Sequence, residues 1–276
     1  MGTGRINAVG VGVDALDLET AASKVLEATK NNTNSYVCLT GAHGIVEARR
    51  NAPLAEALRN ASLVLPDGMP IVWIGRSQGF GQVDRVFGPD LMLKVFDQTQ
   101  ASGDTHFFYG GNPGVAEELA RRMQERFPKA RIVGTYAPPF RKLNALEDAE
   151  LAALLKKCRP DILWVGISTP KQELFMSEYS SHLQARVMIG VGAAFDFHTG
   201  RLNDSPRWVK RAGLQWLHRL LQEPGRLWRR YCRTNTIFLT LALLGVAGIK
   251  RFPPLVESRE RRTNQASPAV ESSLAD

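Results

Sequence analysis

Up to about residue 200, short apolar runs alternate with longer stretches of helical spacing, and few folds accommodate that order. The runs fall at residues 6–13, 35–40, 62–65, 105–109, 131–135, 161–165 and 186–191. Amphipathic stretches at 16–29, 43–51, 69–77, 90–102, 115–126 and 144–158, and one from 170 to about 178, separate them. Apolar runs this short read as strands buried on both faces, and strands joined through helices run parallel. The expectation is an α/β fold: a Rossmann-like parallel sheet with helices on both faces. No internal repeat breaks the pattern.

After Gly200 the character changes. Residues 206–233 are rich in Trp, Leu and Arg, with Leu214, Leu217, Leu220 and Leu221 at helical spacing and Pro224 breaking one helix from the next. The chain carries a formal charge of +8, of which residues 201–233 hold +7 and all the rest only +1. So local a basic field selects phosphate groups, whether of nucleic acid, anionic lipid or a diphosphate substrate. Residues 236–249 are apolar but too few to span a bilayer. The expected division is a Rossmann-like domain over 1–200, a basic helical appendage over 201–252 and a disordered tail over 253–276. Residues 1–13 lack the basic and apolar regions of a secretory signal. Three dispersed cysteines form no disulfide framework and fit a reducing compartment.

Chemistry-bearing residues gather where strands give way to helices. Asp67, in Leu65-Pro66-Asp67-Gly68, either caps the next helix or serves as an acid or base at the sheet rim, where α/β folds place ligands. Arg85 precedes Gly88-Pro89-Asp90, with Asp90 the simplest cap of the following helix. Gly110 and Gly111 open a strand-to-helix turn that could admit a phosphate. Gln172 follows Pro170-Lys171 and suits a sugar hydroxyl. Gly192 lies in a run of small residues before Asp196, which suits a flat ring with an N–H donor. Gly10-Val11-Gly12 matches a dinucleotide fingerprint, but the next strand ends in Leu39-Thr40 without the acidic residue that would hold a ribose, so a plain tight turn is expected. The five histidines form no ligand cluster, and no Asp-x-Asp pair, Walker sequence or His-Glu-x-x-His is present.

In order along the chain, these motifs resemble one family. They are Thr40 with Ala42, Leu65-Pro66-Asp67-Gly68, Arg85-Val86-x-Gly88-Pro89-Asp90, Gly110-Gly111-x-Pro113-Gly114, Gly166-x-x-x-Pro170-Lys171-Gln172-Glu173, Gly190-Val191-Gly192-Ala193-x-Phe195-Asp196, and Trp216-Leu217-x-Arg219-Leu220 with Glu223-Pro224-x-Arg226-Leu227. Together they resemble the WecG/TagA/CpsF bacterial glycosyltransferases. The resemblance implies inverting, metal-independent transfer of a sugar from a UDP-sugar to a polyprenyl-diphosphate-linked acceptor in cell-surface polysaccharide synthesis. It implies a peripheral protein at the cytoplasmic face of the cell membrane, touching anionic lipid and binding no nucleic acid, with homo-oligomers left open. Asp67 then matches the catalytic base. Thr40, Arg85, Gly110, Gly111, Gln172, Gly192 and Asp196 fall on the donor side, and Arg219, Arg226 and Arg229 face the diphosphate.

The family often carries Asn two residues after the threonine, where this chain has Ala42. That leaves N-acetylmannosamine, glucose or another hexose open as donor sugar. A competing class is a nucleic-acid-binding protein that uses 201–233 as a basic surface with tryptophans stacking on bases. Trp216 falls in step with Leu220 and Leu221, which favours packing or lipid contact over stacking.

Overall fold

The computed structural model describes residues 4–30 and 34–255, without the side chains of Arg207 and Arg226. Six parallel strands make the central sheet, in the order β4-β3-β8-β7-β5-β6. They are β3 (Ser35–Thr40), β4 (Leu63–Pro66), β5 (Thr105–Gly110), β6 (Arg131–Tyr136), β7 (Ile162–Gly166) and β8 (Val187–Gly190). Alternate residues of each strand enter two separate cores. Val37 and Leu39 of β3 join the one under α1 (Leu18–Lys30), α5 (Gly88–Ser102) and α6 (Val115–Arg126). Cys38 joins the other, with α2 (Ala42–Ala48), α3 (Ala52–Asn60), α4 (Met69–Ser77), α7 (Ala145–Cys158) and α8 (Lys171–Tyr179). Burial on both faces is why these strands, the half-buried edge strand β6 apart, show no polar alternation.

Two local expectations fail. Residues 6–13 are not one strand but an antiparallel hairpin, β1 (Arg5–Ala8) and β2 (Val11–Asp14), closed by Val9 and Gly10 at φ 56 and 95. Two successive positive φ values are the geometry of a tight hairpin turn. Gly10 therefore opens no helix, and the dinucleotide fingerprint is a coincidence of spacing. The stretch expected as a helix over 43–51 ends at Ala48, and α3 is a second helix in a segment for which no element is expected. Asn51 caps α3 by accepting from Leu54 N at 3.1 Å, with a proline in the first turn.

β3 continues to β4 on one side, while its other neighbour, β8, is reached from β7. Connections thus diverge at the carboxyl ends of β3 and β8, which is where such a sheet opens a crevice. Beyond α9 (Ala194–His198) come α10 (Arg207–Arg211), α11 (Gln215–Gln222) and α12 (Pro224–Val246). Pro224 starts α12 and separates it from α11, as its missing N–H requires. α12 packs on α2, α4 and α11 and sends Phe238 into the core. Residues 250–255 return to the hairpin, with Asn7 Nδ2 donating to Phe252 O at 2.7 Å and Leu255 N to Gly10 O at 3.0 Å. Residues 253–255, expected in a disordered tail, are thus held against the hairpin, and the rest of that expectation, 256–276, lies outside the described residues. Among the described residues no helix is long and apolar enough to cross a membrane.

At the rim, Gly110 sits at φ 137, and a Cβ there would lie 2.5 Å from Gly166 O. Gly110→Ala should therefore cost at least about 1–3 kcal/mol, the usual cost of a backbone held in such a region. Urea unfolding is the measurement, and an unchanged midpoint would contradict this packing.

Candidate active site

A cavity of about 660 Å³ lies at the carboxyl ends of β3, β4 and β8, closed above by α10, α11 and α12. Asp67 follows β4 directly. Its backbone N–H donates to Thr40 O at 2.9 Å, and Val86 N donates to Pro66 O at 2.9 Å, so the loops carrying Asp67 and Arg85 hang from adjacent strand ends. Gly68, not Asp67, caps α4, and it does so without a side-chain bond. The capping reading of Asp67 is therefore set aside. Its side chain is one-third exposed, with Oδ1 turned inward, 3.6 Å from Arg85 Nη2 and without a hydrogen bond among the described residues. Desolvation raises its pKa from 3.8 to about 6, against the opposing pull of Arg85 and Arg219.

Positive charge reaches this carboxylate from distant parts of the chain. The Arg85 guanidinium stacks over Phe87 at 4.2 Å and donates from Nη2 to Gln215 Oε1 on α11. Gln215 does not stand out in the sequence, since only the fold brings α11 to the Arg85 loop. Arg219 donates to Glu223 Oε2 at 3.4 Å, lies over Phe197 at 5.7 Å and lines the cavity. Arg229 does not line it. That residue is exposed, with its guanidinium 5.4 Å from the Trp228 ring. Arg230, one position and about 100° further round α12, lines the cavity instead. The Arg226 side chain lies outside the described residues. Because Arg219 belongs to α11 and Arg230 to α12, the arginines do not form one row on one helix.

The opposite wall comes from the segment after β7 and from the end of β8 with the turn that follows it. Gln172 is buried, accepting from Gly192 N at 3.0 Å and donating to Glu173 Oε1 at 3.1 Å, while Glu173 also accepts from Thr169 Oγ1 at 2.8 Å. Gln172 thus fixes the Gly192 turn, at φ 54, as well as lining the cavity. Burial raises the Glu173 carboxyl above its ordinary pKa. Asp196, in the first turn of α9, lines the same wall. Thr40 is buried outside the cavity, its hydroxyl 2.4 Å from where a Gly44 Cβ would lie. Gly110 and Gly111 also lie outside it, in close approach to Gly166 and Val115. Asp90 is the third residue of α5, not its cap. His43 lines the cavity beside Ala42 with a buried Nδ1 that has no partner among the described residues. Burial and the nearby Arg230 lower its pKa, so it is neutral near pH 7. The sequence offers only a lone histidine there. His106 has the structural role expected of it, between Thr99 Oγ1 at 2.8 Å and Trp164 Nε1 at 3.1 Å.

A carboxylate at the rim of a parallel sheet, beside guanidinium groups in a cavity, is the arrangement of an enzyme active site. Residues 6–251 match the glycosyl transferase WecG/TagA/CpsF family, and the chain belongs to that family of glycosyltransferases. A Bacillus spizizenii protein named N-acetylglucosaminyldiphosphoundecaprenol N-acetyl-beta-D-mannosaminyltransferase is 31% identical over 184 residues, which cover 67% of this chain and 69% of that one. The Bacillus subtilis protein of the same name is 26% identical over 186 residues, covering 67% and 70%.

The raised pKa of Asp67 has two consequences of opposite sign. If Asp67 serves as a base it must be ionised, and kcat/KM should then rise with pH through about 6 and level. For stability, the folded chain holds this proton more tightly than the unfolded chain does. Ionisation therefore costs stability as pH climbs from about 4 to about 6. Asp67→Asn should lose about 10²–10⁴-fold in turnover yet melt no lower than wild type near pH 7. A pH–rate profile and a thermal melt check both; a fully active Asn variant would remove Asp67 from the chemistry.

Proposed function

We propose that this protein transfers a hexose or N-acetylhexosamine from a UDP-sugar to a saccharide linked through diphosphate to a polyprenol, with inversion at the anomeric carbon. The observation that carries this reading is the Asp67 carboxylate, held ionisable near neutrality beside Arg85 and Arg219 in one cavity. The names of the two Bacillus relatives support the lipid-linked acceptor. In a single displacement the acceptor hydroxyl oxygen forms the new bond to the anomeric carbon. The bond to the β-phosphate oxygen breaks, with its electron pair leaving on UDP. The hydroxyl proton passes to Asp67 and then to water. Arginines suit both diphosphates, through paired hydrogen bonds and permanent charge.

Residues 1–200 would carry donor binding and the base, and residues 201–252 would supply acceptor contacts and touch the membrane. Trp208, Trp228 and Leu221 are exposed there, next to the chain's excess positive charge. Ala42 lines the cavity and offers no amide to an N-acetyl group, which keeps glucose beside N-acetylmannosamine as donor. Incubation with a panel of UDP-sugars and a short-chain, diphosphate-linked N-acetylglucosamine tests the reading directly, and no transfer from any of them would refute it.

The transfer should proceed without a metal. Activity should survive EDTA, and loss on chelation with recovery in magnesium or manganese would exclude the metal-independent reading.

Losing a hydrogen bond to a charged group costs roughly 1.5–3 kcal/mol, or about 10–150-fold in kcat/KM. Arg219→Ala and Arg230→Ala should each show that loss with a detergent-soluble acceptor. Arg229→Ala should stay within about twofold. Equal losses at Arg229 and Arg230 would mean that the cavity-facing register of α12 does not matter to the reaction.

A further inference from the structure

The cavity is polar at one end only. Along α12, Arg230, Tyr231, Asn235, Phe238, Leu239, Ala242, Leu243 and Val246 all line it, at the spacing that keeps residues on one helical face. That face is cationic at its start and apolar for its last two turns. Opposite the apolar part stand Trp73 and Ile74 of α4, the Trp73 ring lying against Gly213, where a Cβ would be 2.8 Å from it. Leu239, Leu243 and Val246 are each 60% exposed and Trp73 is 49% exposed, on helices otherwise anchored in the core by Phe238 and Ile71. Apolar side chains left open in this way, continuous with a charged site, mark a place for an apolar ligand.

We propose that this groove between α4 and α12 binds the first isoprene units of the acceptor lipid, while Arg219 and Arg230 hold its diphosphate. The inference rests on the lipid-linked acceptor proposed above and adds the site for its chain. One amphiphile matches both ends of the hollow, a dianionic head at the arginines and a hydrocarbon leading away from it. From Leu239 to Val246 the helix advances about 10 Å, so the groove grips the head of the chain and not its length. Beyond Val246 it joins a second hollow of about 960 Å³, which shares Ile74, Ser77, Ala242 and Val246 with the first. Residues 250–254 bound that hollow and are held in place by the Asn7–Phe252 bond.

The test uses the full chain in solution without a bilayer. N-acetylglucosamine is presented on a diphosphate carrying either a farnesyl or a methyl group. Each methylene removed from water contributes roughly fourfold, so the farnesyl acceptor should exceed the methyl one by at least about 100-fold in kcat/KM. Leu243→Asp and Trp73→Ala, from the two walls, should reduce that ratio to within about tenfold of unity. Leu221→Asp, which alters an exposed apolar residue outside the cavity, should keep the wild-type ratio. A wild-type ratio near one, a ratio unmoved in both groove variants, or an equal collapse in Leu221→Asp would overturn the groove. So would a concentration-dependent dimer abolished by Leu243→Asp, because a second copy would then occupy the surface. If the wild type used neither acceptor with any UDP-sugar, the failure would lie in the lipid-linked reading itself, and the groove would fall with it.

Discussion

The site depends on one carboxylate kept partly from water and held by charge from elsewhere in the chain. Burial alone would push Asp67 towards the neutral acid, and the guanidinium groups of Arg85 and Arg219 pull it back, leaving it near 6. Neither force is local. Burial follows from the parallel register of β3 and β4, whose ends fasten Asp67 N to Thr40 O. The opposing charge follows from Arg85, on a loop tied to β4 through Val86, and from α11, which reaches that loop through Gln215. A carboxylate poised near neutrality is thus a property of the assembled rim and not of the tetrapeptide Leu65-Pro66-Asp67-Gly68.

The same dependence sorts what could be read in the sequence from what could not. The six central strands were legible because burial on both faces leaves short apolar runs such as 35–40 and 161–165. Pro66 and Gly68 likewise marked Asp67 as a rim residue. The hairpin at 5–14 was not legible as such, because its two strands merge into one apolar run and only the φ values of Val9 and Gly10 divide them. Asn51 with Pro53 was a readable start signal for α3, masked by the apolar spacing on either side. Arg229 and Arg230 differ by one step of helix rotation, and Pro224 resets the phase between α11 and α12. No count of spacings from Arg219 could therefore choose between them. Gln215 and His43 acquire a role only through neighbours more than a hundred residues away.

Glycines set how closely the rim can be built. Gly44 lets the first turn of α2 lie against the Thr40 hydroxyl, where a Cβ would come within 2.4 Å. Gly88 places the start of α5 against Val191 O, where a Cβ would lie at 3.0 Å. Small residues thus draw α2, α5 and the end of β8 together round the cavity. Gln172 then pins the Gly192 turn with its amide oxygen. Rigidity there matters, because a misplacement of about 1 Å at a reacting group can cost about 10²-fold in rate.

The helices after residue 200 join the site by the same logic of unequal ends. A basic segment fixed only by charge would swing with ionic strength, since screening weakens exposed contacts. α12 avoids this by burying Leu227 and Phe238 while Arg230 faces the cavity, and the returning segment at 250–255 ties its far end to the hairpin. Burial of Leu227 and Phe238 resists salt, so the register that turns Arg230 to the cavity is set by packing. Concentrating +7 in 201–233 while the rest stays almost neutral then has a physical purpose. The sheet can hold a raised-pKa carboxylate without a cationic surface of its own. The helices that close over it bring positive charge to the cavity of that carboxylate through Arg219 and Arg230.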